Sequence, residues 1–304
     1  MIRPIRNGCL CPNRLFGRRA LVLLLCACLT AGLPGCRGGV RKPHPVPGVT
    51  AAQIVEAHNA RVRSLDRLWA RTSVQVTSTN DKGRRLRDQG EGHLQIVQPS
   101  SVALSLGKLG QTQLYLGSND EIYWWIDLID PKDKIALVGR HSLVTSQKAG
   151  LLGVPVPPRD LIHLLGITAL PQGAAQQELA WDADARAGIT TPTDFGSRRL
   201  WFDVSSMEPV LVELMDESGQ VVLTARLDRY APVNVVGDAA AKPRLPEQAN
   251  ITCVDDDTRV KISLYAAENR PIRPTAFDFQ RLVEGLGVDA LFDLDAPPIS
   301  AGQP

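Results

Sequence analysis

The sequence predicts a mainly β domain with flanking helices, an α+β fold class, placed behind an N-terminal export signal. Through most of the chain, apolar residues alternate with polar ones over short runs, which is the pattern of half-buried strands. Clusters of Asn, Asp, Gly and Ser separate these runs and are typical of turns. One earlier segment repeats its apolar residues near every third or fourth position, which predicts a helix.

The first 35 residues have the composition of a secretory signal peptide. Residues 1–19 contain five Arg and no acidic residue, and residues 20–33 form an apolar run of 14 residues. A transmembrane helix needs roughly 17–25 apolar residues, so this run is short for a permanent span. A basic stretch followed by a short apolar stretch is typical of a cleaved export signal. We therefore expect residues 1–35 to be removed, with twin-arginine export through Arg18 and Arg19 as the less favoured route.

The end of the apolar run resembles the bacterial lipobox, in which a Leu lies three residues before a Cys. The motif is Leu33, Pro34, Gly35 and Cys36, with Pro34 in place of the usual Ala or Ser. The resemblance implies cleavage before Cys36 and attachment of lipid to Cys36, and cleavage by ordinary signal peptidase is the alternative. Residues 36–49 are rich in Pro and Gly, so we predict that they form an extended tether behind the lipidated Cys36.

The predicted cleavage before Cys36 changes both the number of cysteines and the net charge of the mature chain. Four of the six Cys residues lie in the predicted signal, which leaves Cys36 and Cys253. If Cys36 carries lipid, Cys253 has no disulfide partner, so the domain has to fold without a disulfide. Removing five Arg from 34 basic residues leaves 29 against 32 acidic ones, a net charge near −3. Nucleic acid is therefore not an expected partner, because its binding needs a basic surface.

The mature chain divides into a domain over residues 50–292 and a C-terminal tail over residues 293–304. Thr50 and Gln53 form a capping-box pattern ahead of a predicted helix over about residues 51–69, with His58 on its polar side. Five or six short strands follow, with alternating apolar residues between about residues 74 and 137. Residues 155–166 predict a short helix that begins after proline, and further strands resume from about residue 200.

An enzyme is the least favoured class for this chain. Its five His residues are scattered, and none forms the H-x-x-x-H or H-E-x-x-H spacing of a metal pair. The sequence contains neither the G-x-S-x-G elbow of a hydrolase nor a P-loop. We therefore expect no catalytic residues, no metal and no cofactor.

The order of these features is similar to that of the lipoprotein-localisation factors LolA and LolB, and more to that of LolB. The features are the lipobox, the opening helix, the strand–loop–strand of residues 102–114, a short helix ending in Leu164, Leu165 and Gly166, and later hairpins. The resemblance covers roughly residues 50–265. It implies an incomplete antiparallel β-barrel with helices closing an apolar cavity, in which these factors hold the acyl chains of lipoproteins.

The resemblance also assigns candidate site residues. Leu109 occupies the place of a LolB leucine on the loop after the third strand, which is implicated in passing cargo to the membrane; the alternative is that Leu109 packs under its own hairpin. Acyl chains favour a lining of aliphatic and aromatic side chains, although the same residues can fill an ordinary core. Because adjacent strand residues point to opposite faces, either Trp124 or Trp125 must face away from the main core. The candidates for the lining are Leu104, Leu106, Leu114, Trp124 and Trp125.

The sequence therefore supports three hypotheses of decreasing weight. The first is a membrane-anchored envelope lipoprotein that binds acyl chains or lipoproteins and receives or inserts them, with a periplasmic carrier protein as an expected partner. The second is a non-catalytic envelope scaffold with the same fold and a cavity filled by its own side chains. The third is an envelope enzyme. Arg37 follows Cys36 in place of the Asp that marks inner-membrane retention, which favours the periplasmic face of the outer membrane.

Overall fold

The computed structural model of the chain describes residues 45–79, 84–145, 158–193, 196–238, 242–254 and 258–296. The predicted signal peptide, Cys36 and most of the tether lie outside these ranges, as do residues 80–83 and 255–257, which belong to two of the sequence clusters typical of turns. Within the described ranges, no helix combines the length and the apolar character that a membrane span requires.

The first helix, α1 (Ala51–Val62), begins where the sequence predicts. Thr50 is its N-cap, and the reciprocal hydrogen bonds of a capping box join Thr50 and Gln53. The helix is shorter than predicted, because the prediction ran to about residue 69 and the first strand already begins at Arg67. Leu65 and Leu68 are buried and fit helical spacing, but Leu68 belongs to a strand. The prediction of a polar position for His58 is also wrong, since His58 is completely buried.

Two further α-helices and three short 3-10 helices complete the described helical content. Helix α2 (Asp160–Leu164) lies within the segment predicted to be helical, and α3 (Phe279–Leu286) lies near the C-terminus. The 3-10 helices are His141–Leu143, Gln172–Gln176 and Pro274–Phe277.

Fifteen strands form one sheet in the described part of the chain. They are β1 (Arg67–Thr79), β2 (Arg85–Val97), β3 (Ser101–Lys108), β4 (Gln111–Ser118), β5 (Ile122–Asp127), β6 (Ile135–Arg140), β7 (Ala180–Trp181), β8 (Ala187–Thr193), β9 (Gly196–Asp203), β10 (Glu208–Met215), β11 (Val221–Pro232), β12 (Asn234–Val235), β13 (Arg244–Cys253), β14 (Arg259–Asn269) and β15 (Ala290–Asp293).

The sheet is open and mostly antiparallel, with β15 at one edge and β7 at the other. Its order is β15-β6-β5-β4-β3-β2-β1-β14-β13-β11-β10-β9-β8-β7, and β12 pairs with β14 away from this path. The contacts of β15 with β6 and of β12 with β14 are parallel. The long-range pairing of β1 with β14 joins the two halves of the chain. This architecture confirms the predicted mainly β fold class with an unclosed antiparallel barrel.

One face of the sheet, here called the inner face, packs against α1 and the segment of residues 158–176. A single buried cluster joins residues of β1–β4, β8–β11, β13 and β14 to Ile54 and Val62 of α1 and to Ile162, Leu164 and Ile167 of this segment. Side chains from both halves of the sheet share this one cluster with α1, which indicates that the sheet curves around the helix. We call residues 158–176 the covering segment.

The opposite, outer face carries a smaller cluster under the C-terminal elements. Tyr115, Trp124 and Ile126 are buried there, with Phe279 and Leu282 of α3 packed onto them. The chain then adds β15 beside β6. Pairing continues into the predicted tail, since the Leu294 amide donates to the Val138 carbonyl and the Asp295 carboxylate accepts a 2.7 Å bond from the Arg140 amide.

Candidate functional site

A row of apolar side chains crosses the inner face from the middle of the sheet to the β15 edge. The registers of neighbouring strands place these residues side by side. The row consists of Leu94, Leu104, Leu116, Trp125, Leu137 and Phe292. Exposure increases along it, from 1% at Leu94 to 52% at Phe292, with Trp125 and Leu137 half-buried. We call this set the apolar row.

Four of the five predicted lining residues lie on this inner face. Leu104 and Trp125 belong to the apolar row, and Leu106 pairs with Leu114 in the neighbouring row nearer the β3–β4 turn. Leu104, Leu106 and Leu114 are buried in the main cluster, against which Trp125 packs. At these positions the space inside the curved sheet is therefore filled by the protein's own side chains.

Trp124 lies on the outer face, as the alternation of strand side chains requires for one of the two tryptophans. Its ring lies 5.5 Å from that of Phe279 and belongs to the outer cluster. Gly117 leaves room for it, because a Cβ at Gly117 would lie 2.5 Å from the indole. Trp124 therefore anchors the C-terminal elements and does not face the same space as Trp125.

Leu109 is fully exposed at the tip of the β3–β4 hairpin. Lys108 pairs with Gln111, so Leu109 and Gly110 form a two-residue turn, and both have positive φ angles, 52° and 79°. This is the backbone of a type I′ turn, which favours Asn or Gly at both positions and strains a leucine. A Cβ at Gly110 would meet no atom within 4 Å, so the turn projects into open space. The alternative that Leu109 packs under its hairpin is thus wrong.

A polar network fixes the covering segment to α1. His58 Nε2 lies 2.9 Å from the Thr168 carbonyl oxygen, and the Arg61 guanidinium donates to the Gly166 carbonyl and to His58 Nδ1. Nε2 must therefore carry the proton. Burial, with the nearby Arg61 charge, lowers the pKa of His58 to about 3, so its ring is neutral at physiological pH. The carboxamide of Asn59 adds a reciprocal pair of bonds to the Leu170 backbone.

A second buried group of charges joins the covering segment to β9. Arg198 donates to His163 Nδ1 over 3.0 Å, and its Nε finds no acceptor among the described residues. Burial, with the Arg198 and Arg159 charges, lowers the pKa of His163 to about 3. Burial raises the pKa of Asp160 to about 7 although both arginines oppose the shift. Perturbed groups often mark active sites, but Asp160 and Arg198 are buried and open onto neither cleft described below.

Two clefts open elsewhere on the surface. A cleft of about 260 Å³ lies beside β11, β13 and β14 and includes Leu245 and Ala267. A wider one of about 860 Å³ lies on the outer face between the C-terminal elements and the sheet, where Ile122, Phe279 and Leu291 line it. Among the described residues, no group of three or more His, Cys, Asp or Glu is placed to hold a metal ion.

Leu116, Leu137 and Phe292 were missed as members of the apolar row. Leu116 and Leu137 carried the period-two signal of a strand, but their alignment with Trp125 depends on strand register, which the pattern of a single strand does not give. Phe292 was placed at the boundary of the predicted tail, and the structure shows it at a sheet edge.

Several solved structures are similar to this chain. A putative outer membrane lipoprotein-sorting protein domain from Vibrio parahaemolyticus matches with a TM-score of 0.50 at 11% identity, over 76% of this chain and 97% of that one. A LolA superfamily protein from Nitrosomonas europaea gives 0.48 at 13% identity, over 75% and 97%. A DUF1329 family protein from Desulfovibrio piger gives 0.42 at 12% identity, over 77% and 100%.

Sequence comparisons give no corresponding match. No protein-family model matches the chain, and no curated protein does. At 11% identity, the match with the Vibrio structure shows a shared fold and nothing about function. The chain therefore shares the fold of the Vibrio domain, and its own sheet is open and mostly antiparallel.

Proposed function

We propose that this protein is an envelope lipoprotein, anchored through lipid on Cys36, that binds acyl chains or lipoproteins and delivers them to a membrane. The likeness in fold to a lipoprotein-sorting domain supports the general role. The lipobox-like residues Leu33 to Cys36 and the leucine at the β3–β4 turn support the closer relation to LolB. Arg37 supports delivery at the outer membrane, from a periplasmic carrier protein. The protein acts without catalysis, metal or cofactor.

The exposed Leu109 is the observation that carries this proposal. Its side chain is fully solvent-exposed, so it contributes no packing to the fold. Its left-handed backbone costs roughly 1–2 kcal/mol relative to a residue that tolerates this conformation. A side chain that strains its turn and stabilises nothing inside the molecule is best explained by a contact outside it. An apolar tip fits the acyl region of a bilayer.

The apolar row supplies the surface for cargo. Its outer half, formed by Trp125, Leu137 and Phe292, keeps apolar area at the surface beside the filled core. An acyl chain gains about 0.8 kcal/mol for each buried CH₂ group, so about ten groups buried along this row yield roughly micromolar affinity. Cargo is then held at the β5–β6–β15 side of the inner face.

A non-catalytic scaffold with the same fold is the second candidate. The observation in its favour is that Leu104, Leu106 and Leu114 are buried against the protein's own side chains. In this scaffold the apolar row is the edge of the protein's own hydrophobic core, and the protein binds other envelope proteins without carrying lipid.

Titration of the mature chain from residue 36, with Cys36→Ser to remove the anchor, separates the two candidates. The ligands are a fluorescent acyl-chain probe and a triacylated lipopeptide, and a second assay follows transfer of the bound lipopeptide to liposomes. The carrier predicts saturable micromolar binding, with Leu109→Glu retaining binding and losing transfer. Val236→Glu, a change at another exposed apolar residue, is the matched control and keeps both. Absence of saturable binding by the parent refutes the carrier and favours the scaffold.

A further inference from the structure

The β1–β2 hairpin extends past the end of the neighbouring strand β3. Glu91 pairs with Gly107 near the end of β3, whereas β2 begins six residues earlier at Arg85. At about 3.3 Å per residue, this hairpin end reaches roughly 15 Å beyond the Leu109 turn. We call the paired residues 75–79 and 85–89 the arm. The arm and Leu109 lie at the same end of the sheet.

The outer face of the arm carries two arginines. Arg85 and Arg87 are exposed on the outer face, where they pair across the strands with Thr79 and Thr77. Among the described residues, no carboxylate forms an ion pair with either arginine, and Arg87 makes one 3.1 Å bond to Gln75. The nearest acid along the arm, Asp88, accepts a 2.7 Å bond from Lys108. These two arginines are thus basic groups in a mature chain expected to be acidic overall.

Apolar side chains accompany these charges. Leu86 alternates with Arg85 and Arg87, points to the inner face and is 46% exposed. Leu109 lies one hairpin away and is fully exposed. An exposed leucine between two arginines, with a second exposed leucine on the next hairpin, is a combination found in segments that lie at a membrane interface.

We propose that the arm and the Leu109 turn together form a docking surface for a bilayer that contains anionic phospholipid. Leu86 and Leu109 enter the acyl boundary, while Arg85 and Arg87 bind headgroup phosphates. The proposal deepens the proposed function, on which it rests for the contact of Leu109 with a membrane. Asp255, Asp256 and Asp257 lie outside the described residues.

The positive charge of Arg85 and Arg87 favours binding to anionic lipid over binding to neutral lipid. Each Arg held near an anionic surface strengthens binding about fivefold, so the two together give roughly 30-fold. Arginine suits phosphate because its planar guanidinium donates two parallel hydrogen bonds. The insertion of Leu86 and Leu109 adds a contribution that does not depend on lipid charge.

The test is flotation of the mature Cys36→Ser chain with vesicles of phosphatidylcholine, alone or mixed with phosphatidylglycerol. The parent should bind the mixed vesicles more tightly, and R85Q/R87Q should lower that affinity about 30-fold with little change on neutral vesicles. The matched control, R63Q/R273Q, removes two exposed cations near the opposite strand ends and should stay within about twofold.

Three outcomes would overturn the docking surface. The first is equal affinity of the parent for both vesicle types, and the second is an equal loss of vesicle affinity in the control variant R63Q/R273Q. The third is that soluble polyglutamate competes for the protein as effectively as anionic vesicles do, which would indicate an acidic protein partner. Acyl-probe binding, measured on the same samples, keeps the two proposals apart. Its absence in the parent refutes the proposed function, whereas equal vesicle binding with intact probe binding refutes the docking surface alone.

Discussion

Replacing Leu109 by Asn should make the protein more stable and less able to transfer lipid. Leu109 has a φ of 52° and is followed by Gly110 with a φ of 79°, the arrangement for which Asn-Gly is the preferred pair. The substitution removes no buried area, because Leu109 is fully exposed. Relief of the left-handed strain should therefore raise the free energy of unfolding by about 1 kcal/mol, which corresponds to a Tm increase of roughly 2–4 °C.

The measurement is urea unfolding together with transfer of a bound lipopeptide to liposomes. Leu109→Ala is the matched control, since alanine removes the apolar tip but keeps the strained backbone. We expect it to leave stability unchanged and to lose transfer, as the Asn variant does. If the Asn variant is less stable than the parent, or if the Ala variant loses much more than about 1 kcal/mol, Leu109 packs against the protein and the reasoning fails.

Three further changes test other parts of the structure. Gly117→Ala places a Cβ against the Trp124 indole and should lower the free energy of unfolding in urea by about 1–3 kcal/mol. Gly173→Ala, at a position with open space around it, should leave that free energy unchanged, and equal effects of the two changes would contradict the described packing of Trp124. His58 has a pKa near 3 in the folded protein and 6.5 in the unfolded chain, so the unfolded chain binds a proton more readily. The neutral ring therefore contributes fully to the free energy of unfolding above pH 6.5, and this contribution is lost as the pH falls towards 3. Between pH 7.5 and 5, His58→Gln should therefore lose about 2 kcal/mol less stability than the parent, and identical pH profiles would refute the burial argument. Trp125→Ala should weaken acyl-probe binding roughly tenfold in a fluorescence titration, and unchanged affinity would place the probe elsewhere.

Local signals in the sequence were sufficient for much of the fold. The capping box of Thr50 and Gln53 marked the start of α1, because its hydrogen bonds involve residues three apart. Alternation identified the strands between residues 74 and 137 for the same reason. The end of α1 was harder to predict, since Leu65 and Leu68 are buried whether their backbone is helical or extended.

The burial of His58 could not be read from the sequence, because it depends on partners far along the chain. Its ring is acceptable in the core since Thr168 and Arg61 satisfy both nitrogens. Thr168 lies 110 residues away, and no periodicity connects it with α1. A polar residue on a helix was therefore assigned to the solvent side.

The sequence allowed several residues of the candidate site to be predicted, but it did not allow their arrangement in space to be predicted. Leu104, Trp125 and Leu109 were identified from strand pattern, turn position and family resemblance. Their arrangement with Leu137 and Phe292 depends on register across five neighbouring strands, one of which arrives from the C-terminus as a parallel edge. Such long-range pairing is a property of the folded sheet.

Cross-linking most directly tests the central claim that acyl chains bind along the outer half of the apolar row. A lipopeptide with a photoreactive group near the end of one acyl chain is bound to the mature Cys36→Ser chain, irradiated and mapped by mass spectrometry. We expect adducts at Trp125, Leu137 or Phe292 that unlabelled lipopeptide displaces. Saturable adducts confined to the outer-face cleft, at Ile122, Phe279 or Leu291, would contradict it.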